Sequence, residues 1–178
     1  FKKMIKMLKK WRLNNKNKYI DKFCSKDNKL YIYPVAAYGA NFVEFNKLKF
    51  ESQKSLDGWF SPHKNKIKKI IADFINKKGI YALSSIPYKL GIMMHGDPGC
   101  GKTSFIKALA NETNRCIIQI FLDKFKNVQS FKELFQSDYI YVKDRNCYGT
   151  WMYIPMNKRI IVFEEIDTAG TIVMDRMK

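Results

Sequence analysis

Apolar residues recur along this chain with two different periods. Phe1, Met4, Ile5, Leu8 and Trp11 stand at i, i+3, i+4, i+7 and i+10 with lysines between them, which predicts a basic amphipathic helix. Residues 14–29 are polar and predict a loop, and Leu30–Val35 predicts a short strand ended by Pro34. Ser61-Pro62 then supplies a helix cap and a proline at the first helical position. Ile67, Ile70, Ile71, Phe74 and Ile75 form one apolar face of that helix, and Gly79 ends it. Lys64, Lys66, Lys68, Lys69, Lys77 and Lys78 cover its solvent side.

The second half of the chain reads as alternating strands and helices. Leu90-Gly91-Ile92-Met93-Met94 is almost wholly apolar, as expected of a strand buried on both faces. Phe105, Ile106, Leu109 and Ala110 fall at helical spacing within a helix from Lys102 to about Asn114. Cys116–Leu122 predicts another buried strand, and Phe131, Leu134 and Phe135 a short helix after Ser130. Aromatic and polar residues alternate over 138–155, which predicts a hairpin turning near Asn146–Gly149. In that hairpin Tyr148 and Trp151 are expected to pack across strands rather than grip a substrate. Arg159–Phe163 is an apolar, β-branched strand that runs into Glu164, Glu165 and Asp167.

Between the predicted strand at 90–94 and the helix at 102 lies Gly96-Asp97-Pro98-Gly99-Cys100-Gly101-Lys102-Thr103, of the form G-x-x-x-x-G-K-T, followed by Ser104. Glycines let such a loop turn its N–H groups inward around a polyphosphate. Lys102 then reaches the β- and γ-phosphates, and the Thr103 hydroxyl takes a position on Mg²⁺. Strand, glycine loop and helix is the context this motif requires, with phosphate on the helix N-terminus. An ordinary Gly/Pro turn before a helix is the bland alternative; the intact Lys-Thr pair and both flanks argue against it.

The acidic strand lies farther on, with Glu164 62 residues after Lys102. In phosphate-loop ATPases the acid at such a strand end holds Mg²⁺ and the next one polarises the attacking water. Glu164 falls on the metal position and Glu165 on the water-activating position. Acids also mark solvated strand ends, so the sound phosphate loop upstream is what favours the functional reading.

From these residues the chain resembles the AAA ATPase family, and within it the branch of the mitochondrial Rieske-protein translocase and the related ATPases of large DNA viruses. The resemblance rests on Tyr81–Ala110 and on Ile154-Pro155-Met156-Asn157-Lys158-Arg159 leading into the acids. It covers about Ser52 to Ala169. It implies an α/β fold, a parallel sheet flanked by helices, with residues 51–178 as the N-terminal part of the ATPase large subdomain and 1–50 as a basic extension or the end of a preceding domain. It also implies ATP and Mg²⁺ as ligands, a homo-oligomeric ring of six or seven subunits, a protein client, and an arginine finger from a neighbouring subunit. By the same resemblance Ile86 and Pro87 lie near the adenine. Ser85 replaces the branch's Gly and Asp97 its Pro, and the acid pair is Glu-Glu where the branch commonly has Glu-Asp. The resemblance further implies a sensor strand and helical lid after the acids, so the sequence reads as an incomplete module expected to fold poorly and turn over ATP slowly by itself.

Charge adds a second hypothesis. The chain has 178 residues and a formal charge of +17, and residues 1–30 hold eleven basic against two acidic side chains. Such a balance favours polyanions, so a nucleic-acid-stimulated helicase or clamp-loader-like ATPase is the first alternative. Of the 33 basic residues 28 are Lys, however, and readers of bases and phosphates favour Arg forks. Residues 1–13 suit an anionic membrane surface, nucleic acid or docking on the protein's own core. A nucleotide-gated binding module without turnover is the second alternative, suggested by the Glu-Glu pair. Cys24, Cys100, Cys116 and Cys147 show no metal spacing, and with ATP use they indicate a reducing intracellular compartment, the cytoplasm (a host's, if the chain is viral). No apolar run is long enough for a transmembrane helix.

Overall fold

A computed structural model describes residues 29–38, 42–85, 87–122, 132, 134–143 and 149–166. The basic amphipathic helix expected at 1–13, Ile86, Phe131, Tyr148 and Asp167 lie outside the described residues. The chain divides into two compact units, one of residues up to Phe50 together with those from Arg115 onward, the other Glu51–Asn114.

The first unit is built on one seven-stranded sheet. Its strands are β1 (Tyr31–Tyr38), β2 (Val43–Asn46), β3 (Leu48–Lys49), β4 (Cys116–Phe121), β5 (Tyr139–Lys143), β6 (Gly149–Tyr153) and β7 (Arg159–Glu164). The order is β6-β5-β2-β1-β4-β7, with β3 also on β1. The pairs β1–β4, β4–β7 and β2–β5 are parallel, and β1–β2, β1–β3 and β5–β6 antiparallel. The α/β class thus holds with a mixed sheet, whose parallel ladder runs through the acid-bearing strand. The β4–β7 register extends from Cys116↔Arg159 to Phe121↔Glu164.

Alternation fixes which face is buried. Cys116, Ile118 and Ile120 of β4 enter a core with Tyr33, Val43, Phe45, Leu134, Ile140, Val142 and Ile154. The burial of Tyr33 drives its phenol pKa well above the ordinary value. Pro34 does not end β1. It pairs opposite Gln119, and a register shift between Val35 and Ala37 follows it, the irregularity at which a proline lacking an N–H is tolerated. The hairpin is present, with Tyr139↔Tyr153 through Lys143↔Gly149 in register, although its turn lies outside the described residues. Trp151 packs at 5.4 Å from Tyr141 and 6.0 Å from Phe42, ring to ring.

The second unit holds α1 (Lys64–Ile75), a 3₁₀ turn (Gly79–Ala82) and α2 (Lys102–Thr113). Helix α1 starts two residues after Pro62, and Ser61 Oγ accepts from the His63 N–H at 3.2 Å ahead of it. It ends before Gly79, at Asn76, with Lys77 in the left-handed region at φ 51°. Leu56, Ile71, Phe105 and Ala108 form a small core, against which Trp59, Ile67, Leu90, Met94 and Leu109 pack.

One predicted element is missing. Residues 91–96 have no regular secondary structure, and Met93 is 83% exposed, although this run was expected to be a doubly buried strand. A strand requires a neighbour to take its N–H and C=O groups, and no described strand pairs with this one. Leu90 and Met94 still reach the small core; the side chains between them do not.

Candidate functional site

The phosphate-loop residues come together within the second unit. Gly99 and Gly101 have φ of 83° and 90°, values that side-chain-bearing residues rarely adopt. At Gly99 a Cβ would meet no atom within 4 Å, so conformation and not crowding calls for glycine there. Exposed Asp97 and Pro98 carry the tip of the turn, closed by the Cys100 N–H on the Asp97 carbonyl at 3.3 Å. Gly101 is the N-cap of α2 and offers no side chain to the helix's first N–H groups. The first turn, Lys102, Thr103 and Ser104, also contains no acid. The positive end of the helix dipole therefore faces the loop uncompensated.

Lys102 folds back across this concavity. Its Nζ donates to the carbonyls of Gly96 at 2.5 Å and Asp97 at 2.9 Å, and lies 3.5 Å from Cys100 Sγ. Thr103 is exposed at the same end. Behind the turn, Phe105 is 1% exposed and its ring lies 4.6 Å from that of Trp59, which anchors α2 by its buried face. A cleft of about 480 Å³ opens beside the loop, lined among others by Lys54, Gly58, Trp59, Gly99, Gly101 and Ser104. The donor set suits a polyphosphate: glycines in left-handed conformations, an uncapped helix end and a long-armed ammonium, with no carboxylate in the first helical turn to repel the ligand.

The acids lie in the first unit. Glu164 is the last residue of β7 and is half-buried. Gln119 Nε2 donates to its Oε1 at 3.2 Å. Because Gln119 sits opposite Val162 in the parallel ladder, Glu164, two residues on, shares its face. Glu165 leaves the strand and is exposed, with a left-handed φ of 50°. A hard divalent cation such as Mg²⁺ is commonly held by one or two protein oxygens plus phosphate and water, and the Glu164 carboxylate is of that donor type. Among the described residues no group of three or more His, Cys, Asp or Glu forms a separate metal cage.

At the other end of β7, Arg159 is 4% exposed. Its Nε donates to the Ile154 carbonyl at 2.6 Å and its guanidinium also to the Leu134 carbonyl at 3.2 Å. Burial lowers its pKa to about 10, while Asp138 and Tyr153 pull it the other way.

Sequence reasoning missed three contributors here. Lys54 Nζ donates to Ser104 Oγ at 2.5 Å, and Asn111 Nδ2 donates to the carbonyls of Ser52 and Lys54 at 2.9 and 2.7 Å. No pattern marks Lys54 or Asn111. Gln119 did leave a signal, being the one polar residue in Cys-Ile-Ile-Gln-Ile-Phe. Cys100 is exposed and Cys116 buried. No helix of the described residues is long and apolar enough to cross a membrane.

Comparison with known proteins agrees with this geometry. The model of the AAA family, "ATPase family associated with various cellular activities", matches residues 92–177. The human mitochondrial chaperone BCS1 is 40% identical over 58 residues, covering 33% of this chain and 14% of that protein. The probable mitochondrial chaperone BCS1-A of Dictyostelium discoideum is 39% identical over 59 residues, 32% of this chain and 14% of its own length. An AAA-ATPase of Arabidopsis thaliana is 29% identical over 115 residues, 65% of this chain and 20% of that protein. The chain therefore spans only a fifth or less of each of these relatives. Over residues 92–177 the chain is similar to the AAA family, and BCS1-type chaperones and plant AAA-ATPases are among the proteins it resembles.

Proposed function

We propose that this chain carries the nucleotide-binding part of a Mg²⁺-dependent AAA ATPase that works as a ring and uses ATP hydrolysis to remodel or translocate a macromolecular client. The observation that carries the reading is the Gly96–Ser104 loop, with its lysine folded over loop carbonyls and its helix end left uncapped. In this reading the loop amides from Gly99 to Thr103 cradle phosphate, and Lys102 balances β/γ charge. Thr103 and Glu164 hold Mg²⁺, while Glu165 orients the attacking water. Residues 51–178 form the first part of the ATPase module, with 1–50 preceding it. A hexameric or heptameric ring with an arginine finger from the neighbour, and a protein client, follow from the family likeness. The cysteine spacing, with no C-x-x-C pair, and the use of ATP suit a reducing intracellular compartment.

The test is ATP turnover by the protein, wild type beside Glu165→Gln, with and without DNA at low salt. Glu165→Gln is expected to lower turnover about a hundredfold or more with ATP still bound. Strong activation by DNA, weakening with salt, would move the reading to a nucleic-acid-stimulated motor, which the net charge of +17 favours. Equal, negligible turnover in both proteins would leave a nucleotide-gated binder.

A further inference from the structure

Lys54 is oddly placed for a surface lysine. Its ammonium rests on Ser104 Oγ, at the third position of α2, within the first turn of the helix. A cation there meets the positive end of the helix dipole, an arrangement that costs stability in a free helix. Lys102 already occupies the same turn, and that turn holds no acid. Nor is Lys54 a loosely attached residue. Asn111, two turns along the same helix, binds the backbone carbonyls of Ser52 and Lys54 and moors the segment along α2. The side chain then lines the cleft shared with Gly99, Cys100, Gly101 and Ser104. Two lysines at one loop and its uncapped helix end are unfavourable until an anion sits near them.

The two ammonium groups approach the loop from different ends. Lys102 lies over the carbonyls of Gly96 and Asp97, where the loop begins, and Lys54 lies at Ser104, where the loop has become helix. In a phosphate loop the motif lysine attends the β- and γ-phosphates, and the backbone the α and β. We propose that Lys54 is a second phosphate-binding residue, serving the α-phosphate side of a bound nucleoside di- or triphosphate in the cleft beside Ser104. The proposal rests on the nucleotide reading of the loop. Ser104 Oγ holds the ammonium in the free protein and shares the phosphate with it once nucleotide enters.

Calorimetric titration of the protein with MgATP and with MgADP tests this, using Lys54→Met, Lys54→Arg and Lys102→Met. Because ATP and ADP share the α-phosphate, Lys54→Met is expected to weaken both by the same factor, about fivefold. Lys54→Arg should return both to within about twofold, since the charge is restored. Lys102→Met should weaken ATP more than ADP. The melting temperature of nucleotide-free Lys54→Met should not fall, because the lysine opposes the helix dipole there; a drop would assign Lys54 a purely structural tether and overturn the proposal. If Lys54→Met leaves both affinities unchanged while Lys102→Met loses ATP, the role of Lys54 falls and the nucleotide reading stands. If Lys54→Met weakens ATP alone, the α-phosphate assignment falls. If neither lysine variant alters binding, the nucleotide reading itself falls.

Discussion

The two units hold their functional residues by different means. Around Glu164 the backbone is fixed by a parallel ladder, and the sheet rests on a broad core in which Tyr33, Phe45, Ile118, Ile120 and Ile154 are fully buried. Around Lys102 no ladder exists among the described residues. The loop depends on glycine conformations, one helix and a core whose buried members are Leu56, Ile71, Phe105 and Ala108, while Phe60 and Met93 are 90% and 83% exposed. An acid at a strand end needs a rigid support; the loop proposed to close around phosphate draws its order from fewer contacts, and regions of low local stability are where ligand-binding segments are found. The contrast makes the loop unit the more fragile of the two.

The sharpest way to break this contrast is Phe105→Ala. With so few large side chains in its core, that unit should lose about 4 kcal/mol. Hydrogen exchange read separately on α2 and on β4 should show lost protection in α2 first. Equal loss in β4 would mean that the two units share one stability. Next in size is Arg159, on the sheet side. Arg159→Ala orphans the carbonyls of Ile154 and Leu134 and should cost about 3 kcal/mol in denaturant unfolding. Arg159→Met should cost clearly less, because both variants remove the buried cation but Met still fills most of the space it occupied. Arg159→Ala costing no more than Arg159→Met would assign the loss to the two hydrogen bonds and not to the side chain's bulk.

Smaller again is the effect of Gln119→Leu. It frees one Glu164 oxygen and should raise the Mg²⁺ concentration for half-maximal turnover about tenfold, with unfolding unchanged. A fall in stability without a shift in Mg²⁺ dependence would make Gln119 a packing residue. The smallest effect belongs to the solvent-exposed pair Asp57–Lys68, 2.5 Å apart. The bond to Lys68 holds the Asp57 carboxyl below its usual pKa. Any stability it adds is present above the ordinary carboxylate range and is lost as pH falls through the lowered value. Because the pair is fully screened, Asp57→Asn should leave the melting temperature within replicate scatter at neutral pH.

Where a residue's role follows from its neighbours in sequence, the chain was readable. Helix α2, strands β4 and β7 and the β5–β6 hairpin all stand where periodicity predicts them, within a residue or so at their ends. The phosphate loop was legible because its function lies in the order of its residues. The run at 90–94 misled for the opposite reason: apolar composition signals burial, but strand formation depends on a partner that no local pattern reports. Pro34 misled because a proline ends a strand only where its N–H is needed, and a bulge beside it removes the need. Lys54, 48 positions before Lys102, acts through a contact that no spacing rule anticipates.

Glu165 carries one more consequence. Its φ of 50° suits Gly or Asn and costs a glutamate on the order of 1 kcal/mol. A library at this position selected for heat resistance alone should therefore enrich Gly and Asn, whereas one selected for growth-linked turnover should return Glu. The gap between the two winners would measure how much durability this protein surrenders to keep an acid at that turn.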